Sequence, residues 1–149
     1  MKNFITTIGI CICVLGMSDC KSKSSAYLTV KANTEKNITG AKWILYELEG
    51  VDLAASKNNL TPEAFIMFDA NENRVNGNSG CNIFGGTYQI GPDEAIKFSG
   101  MVSTRKACLD MTVENRMNKM FQTIDGYSLQ GDTLSLNQGK ITLARFVKE

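Results

Sequence analysis

The chain has 149 residues, 43% of them hydrophobic, with 16 basic and 15 acidic side chains giving a formal charge of +1. That length and apolar content suit one domain with a real core and exclude wholesale disorder, while the balanced charge excludes a global basic field for nucleic acid. Histidine is absent, which excludes histidine-based triads, the usual histidine-bearing zinc sites and a histidine pH switch.

Residues 1–19 read as an export address. Lys2 supplies a positive start, and Ile8 to Met17 is an uncharged apolar run of ten residues. A helix needs about 20 residues to span a bilayer, so the run is too short to cross and suits a signal-peptide core. It ends in Met17-Ser18-Asp19 and then Cys20, the arrangement of a lipoprotein signal in which Cys20 becomes the acylated first residue. Ordinary signal cleavage and a retained amphiphilic tail are the other readings. Residues 20–39, beginning Cys20-Lys21-Ser22-Lys23, are polar and read as a tether, leaving residues 40–149 as the domain.

Within the domain, short segments alternate with turn residues. Trp43, Leu45 and Leu48 suggest a first strand ending at Gly50. Ala64 to Phe68 is a compact apolar run suited to a buried strand after Pro62. Arg74 to Gly77, Phe84 to Ile90 and Ala95 to Phe98 are further strands, with Gly91-Pro92-Asp93 as a turn. One stretch has helical period: Val113, Met117, Met120, Phe121 and Ile124 share a face, which predicts a helix over about 111–124. Asp110 or Thr112 would cap its start, and Asp125-Gly126 would stop it. Met111, Met117 and Met120 read as core packing in preference to a soft metal site. Tyr127 to Gln130, Thr133 to Leu136 and Ile141 to Phe146 alternate polar and apolar residues around Gly131-Asp132 and Asn137-Gln138-Gly139, a meander of hairpins. The expected fold is α+β: a curled antiparallel sheet or partial barrel of about seven to eight strands, with one amphipathic helix over its open side.

The cysteines divide unevenly. Of five, Cys11 and Cys13 fall in the leader and Cys20 at the acylation position, so Cys81 and Cys108 remain in the domain. An even pair in an exported domain invites a disulfide. A reactive thiol near Arg105 and Lys106, or two free buried cysteines, are the alternatives. Zinc has too few soft ligands. Around Cys81, Gly77, Gly80, Gly85 and Gly86 read as structural glycines at a bulge or tight bend rather than a phosphate cradle, because no helix and no Gly-Lys-Ser/Thr sequence follows. Asn82 is suited to fixing the turn. Arg105 and Lys106 are candidates for contact with an anion or an acidic partner. Asp93 and Glu94 are adjacent, and adjacent strand residues point to opposite faces, so they are a poor acid/base pair.

The most specific text runs Gly77-Asn78-Ser79-Gly80-Cys81-Asn82-Ile83-Phe84-Gly85-Gly86-Thr87-Tyr88, then Ser103-Thr104-Arg105-Lys106-Ala107-Cys108, then the amphipathic helix. With Trp43 near the start and Gly131-Asp132-Thr133-Leu134-Ser135-Leu136 near the end, the chain resembles the META domain family, to which the heat-shock lipoprotein HslJ belongs. Lys106 departs from the methionine often found there. The resemblance implies a small α+β domain exported to the bacterial envelope, often lipid-anchored, without established enzymatic activity, in proteins tied to stress, drug resistance, motility and secretion. The expectation is therefore a non-enzymatic binding or interaction module, monomeric, anchored by lipid at the outer membrane and facing the periplasm. Its partner would be an envelope protein, peptide or lipid, and no cofactor, metal or nucleic acid is expected. Two further readings are an inhibitor of a foreign hydrolase, presenting Gly85-Gly86-Thr87-Tyr88 as an exposed loop, and a thiol-dependent enzyme.

Overall fold

The computed structural model describes residues 37–56 and 63–149. The leader, Cys20, the tether through residue 36 and Pro62 lie outside the described residues. Ile38, expected in the tether, is instead a core residue: it is 1% exposed, and its carbonyl accepts the Trp43 indole N–H at 2.7 Å. A fully buried indole needs such an acceptor, so the segment before the first strand is tied to the domain.

Among the described residues eight strands form one antiparallel sheet: β1 (Lys42–Leu48), β2 (Phe65–Asp69), β3 (Arg74–Asn78), β4 (Ile83–Ile90), β5 (Ile96–Ser103), β6 (Gly126–Gln130), β7 (Thr133–Gln138) and β8 (Ile141–Lys148). Their spatial order is β5-β4-β3-β2-β1-β8-β7-β6. Every step but one is between sequence neighbours. The exception places β8 beside β1, pairing Trp43 with Lys148 and Leu48 with Ala144. The strands alternate as half-buried strands must, with Ile66, Phe68, Val75, Leu134 and Phe146 inward and nearly inaccessible.

The sheet curls until its two edges touch, but at one end only. Ala95 bridges Gly126, the Ile96 N–H donates to the Asp125 carbonyl at 3.2 Å, and the Tyr127 N–H donates to the Glu94 carbonyl at 2.9 Å. Beyond that junction β5 and β6 diverge, leaving a half-barrel. Helix α2 (Thr112–Met120) spans the opening and buries Val113, Met117 and Met120 in the core.

The helix is shorter than the predicted 111–124. After Met120 the chain tightens: Gln122 N–H donates to Lys119 and Thr123 N–H to Met120, both across three residues. This turn keeps Phe121 and Ile124 on the buried side, so the apolar spacing outlasts the helix. Asp110 receives the Thr112 N–H at 2.8 Å. A four-residue helix, α1 (Leu53–Ser56), was not expected from the sequence; the Asp52 carboxylate accepts the N–H groups of Ala54 and Ala55 at its start. β5 runs five residues past the predicted Phe98, because a register irregularity opposite Gly85 to Thr87 lets pairing resume after Gly100, whose φ is +60°.

Candidate functional site

The motif residues converge on one polar knot. Asn82, 1% exposed, sits in the turn between β3 and β4. Its side-chain oxygen accepts from the Thr104 hydroxyl and the Lys106 N–H, each at 2.7 Å. Its amide nitrogen donates to the Lys106 carbonyl at 3.1 Å and to the Glu114 carboxylate at 2.8 Å. The Asn82 backbone N–H reaches the same carboxylate at 3.2 Å. Ser79 closes the turn by donating its N–H and hydroxyl to the Asn82 carbonyl, at 2.9 and 3.0 Å, while Gly80, at φ +91°, supplies the left-handed residue. Cys81 and Cys108 are joined by a disulfide with Cα atoms 6.2 Å apart. One side chain thus ties together the β3–β4 turn, the segment after β5 and helix α2.

Glu114, 5% exposed, is the member of this knot that sequence reasoning missed. On a helical wheel it lies beside Val113 and Met117, and a carboxylate there was the available signal. Gly77 is required for close approach: a Cβ would run into the Phe65 carbonyl and come within 2.6 Å of the Phe84 ring. Phe84, Gly85, Gly86, Thr87 and Tyr88 all lie within β4. The expectation of an exposed Gly85–Tyr88 loop is therefore corrected. Tyr88 is 3% exposed, its hydroxyl donates to the Asp69 carbonyl at 3.2 Å, and burial, then the Asp69 charge, hold its phenol above the ordinary value of 10.0. Asp93 and Glu94 lie in a left-handed turn, with φ of 55° and 59°, and not on a strand. Ser103 ends β5 and Ala107 lies in the exposed segment that follows.

Beside the knot, an open groove follows β5. A cleft of about 500 Å³ is lined by Ile90, Ile96, Phe98, Phe121 and Ile124, with Gln89, Lys97, Gln122 and Asp125 at its rim. A second cleft of about 290 Å³ lies between Met101 to Ser103 on β5 and, opposite them, Asn118 on the helix with Phe121 and Gln122 in the turn after it. Both are lined in part by Phe121 and Gln122, so they adjoin one another. Phe121 sits between them, its ring centroid 4.9 Å from that of Phe84 and 5.2 Å from that of Phe98. The first cleft has mainly apolar walls and a few convergent polar groups, as binding clefts do, and the second is as polar as it is apolar. The interior behind it is filled by the core side chains.

Arg105 and Lys106 are exposed in the segment that follows Ser103 at the end of β5, and neither has an ion-pair partner among the described residues. Among the described residues no group of three His, Cys, Asp or Glu is placed to hold a metal ion, and no helix is long and apolar enough to cross a membrane. Cys20 lies outside the described residues.

Three solved structures share the fold. A protein from Burkholderia xenovorans solved by NMR is 17% identical over 75% of this chain and 83% of its own, with a TM-score of 0.56. A second NMR structure is 21% identical over 74% of this chain and 91% of its own, also at 0.56. The crystal structure of a DUF4847 family protein from Bacteroides vulgatus is 15% identical over 76% and 96%, at 0.54. Comparison with curated proteins returns no match. The family model of the META domain matches residues 36–149, from just before the buried Ile38 to the last residue. The chain belongs to the META domain family.

Proposed function

We propose that the chain is a non-enzymatic binding module of the bacterial cell envelope, held by a lipid on Cys20 at the outer membrane and facing the periplasm. It would act as a monomer in envelope stress, drug resistance or secretion, holding an envelope protein segment or a lipid. The groove along β5 carries this reading. It gathers an apolar floor of largely buried side chains, polar lining residues and a sheet edge that has no strand partner among the described residues. The motif supports it from the other side. The polar side chains of Asn82, Thr104 and Glu114 are engaged in holding the fold together, and both domain cysteines are bonded to each other. The short apolar leader ending at Cys20 supports the anchor.

The test is the full chain expressed with its leader in a Gram-negative host. The expected result is a membrane-fraction protein whose intact mass carries acyl groups, and a Cys20→Ala variant that is not acylated. Native mass spectrometry of the purified protein should show an adduct that is lost when the groove is blocked by Gln122→Trp. An unacylated wild-type protein removes the anchor from this reading. An adduct that is absent, or insensitive to Gln122→Trp, removes the groove.

A further inference from the structure

We propose that the groove takes an extended polypeptide segment, which adds to the free edge of β5 as an antiparallel strand with its acidic N-terminal end beside Arg105 and Lys106. This rests on the binding-module reading and names the chemical class of its ligand.

The edge is the first argument. Among the described residues β5 is paired with β4 alone, and its other side is bonded only at its start, through Ile96 to Asp125. Because outward-facing groups alternate along a strand, the Ile96 bond puts the N–H and carbonyl of Phe98 on the same outer side. At the far end the Thr104 N–H turns in to the Ile83 carbonyl at 3.0 Å, so Ser103 and Met101 face out. These groups lie where the two clefts open, since Phe98 lines one, and Met101 and Ser103 the other. Asn118 on the helix and Gln122 in the tighter turn that follows it stand on the opposite wall of the second cleft. An incoming strand therefore meets backbone groups on one side and side-chain amides on the other. Its alternate side chains reach the apolar walls, while the intervening ones face solvent. That is the pattern of strand addition.

Charge sets the direction. Arg105 lies two residues beyond Ser103, followed by Lys106, and both are exposed without a carboxylate partner among the described residues. The other end of the groove is lined by Lys97 and Asp125, one charge of each sign with the Asp125 carboxylate accepting the Gly139 N–H at 2.8 Å, so the uncompensated positive charge lies on the Arg105 and Lys106 side. An antiparallel strand places its N-terminal residues beside Arg105 and Lys106, so carboxylates there are favoured and lysines opposed. Antiparallel pairing also matches every existing step in this sheet.

The test uses full-length protein in lipid nanodiscs and a fluorescein-labelled heptapeptide of sequence EEVSVTV. Binding is followed by anisotropy, with hydrogen exchange read on β5. The expected result is saturable binding that slows exchange over Phe98 to Ser103 and weakens about ten-fold or more in the Arg105→Glu, Lys106→Glu variant. The peptide KKVSVTV should bind that variant better than it binds the wild type. Ser103→Pro, which removes one outward N–H at an edge position that tolerates proline, should weaken both peptides in their matching proteins. The proposal is overturned if EEVSVTV does not bind, if the non-alternating EEVVVST binds equally well, or if charge reversal fails to swap the preference. Should the peptides fail while phosphatidylglycerol in the disc slows the same amides, the strand-addition inference falls and the binding-module reading stands. Should neither affect the groove and no adduct accompany the purified protein, both fall.

Discussion

Replacing Asn82 tests whether one amide holds three segments of the chain together. Asn82→Ala removes two acceptor bonds, to Thr104 and Lys106, and the donor bonds to Lys106 and Glu114. Neutral bonds contribute about 1 kcal/mol each and those to a charged group about 1.5–3, and relaxation recovers part of the sum, so the expected loss is about 3–5 kcal/mol. For a domain of this size that is a fall in Tm of about 12–20 °C. Asn82→Asp keeps the shape and the acceptor but turns an oxygen toward the Glu114 oxygens, which the native amide nitrogen meets at 2.8 and 3.0 Å. It should destabilise at least as much as alanine, and Glu114→Gln should restore about 2 kcal/mol in that background by offering a donor. Denaturant unfolding of the oxidised protein, read by tryptophan fluorescence from Trp43, gives all the values in one series. A loss below about 1 kcal/mol for Asn82→Ala, or strict additivity of Asn82→Asp with Glu114→Gln, refutes the reasoning.

Breaking the Cys81–Cys108 link, whose sequence separation is 27, should cost about 3–4 kcal/mol from chain entropy; a Cys81→Ser, Cys108→Ser double variant measured against oxidised wild type checks this. Gly77→Ala should destabilise by about 2 kcal/mol or more, because its Cβ would strike the Phe65 carbonyl and the Phe84 ring, whereas Gly139→Ala, in open space at φ +55°, should lose only about 1 kcal/mol; their melting curves would then separate clearly. Burial raises the Tyr88 phenol above its ordinary 10.0, so the folded state holds that proton longer than the unfolded one. Stability from this group is therefore complete below the unfolded value and declines as pH rises above about 10, and Tyr88→Phe should flatten that decline in alkaline melts.

Much of the secondary structure was legible, and the reasons for the misses are local. Thr133-Leu134-Ser135-Leu136 alternates cleanly and folds as a strand with both leucines fully buried. The spacing of Val113, Met117 and Met120 gave the helix, while Phe121 and Ile124 extended its apparent length because a tighter turn leaves them on the same side. Ser99 and Gly100 interrupt the alternation after Phe98, and only pairing with β4 across a bulge carries β5 on to Ser103. The site was less legible. Gly77, Asn82 and the two cysteines stood out by type and spacing, but Glu114 reads like any helix-surface carboxylate until its partner 32 residues earlier is brought beside it.

By itself the sequence determined what depends on near neighbours: the period of each strand and of the helix, the turns at glycine, and the even pair of domain cysteines. Those are set by backbone sterics and by the alternation of apolar residues within a few positions. Tertiary structure alone decided which strands adjoin, that β8 closes on β1, and that the curled sheet stops short of closing and leaves β5 with an edge unpaired by any described strand. Those outcomes depend on twist and register accumulated over eight strands and on where the helix can fill the remaining gap. The groove exists because the sheet's two ends meet at Ala95 and Gly126 and nowhere further along.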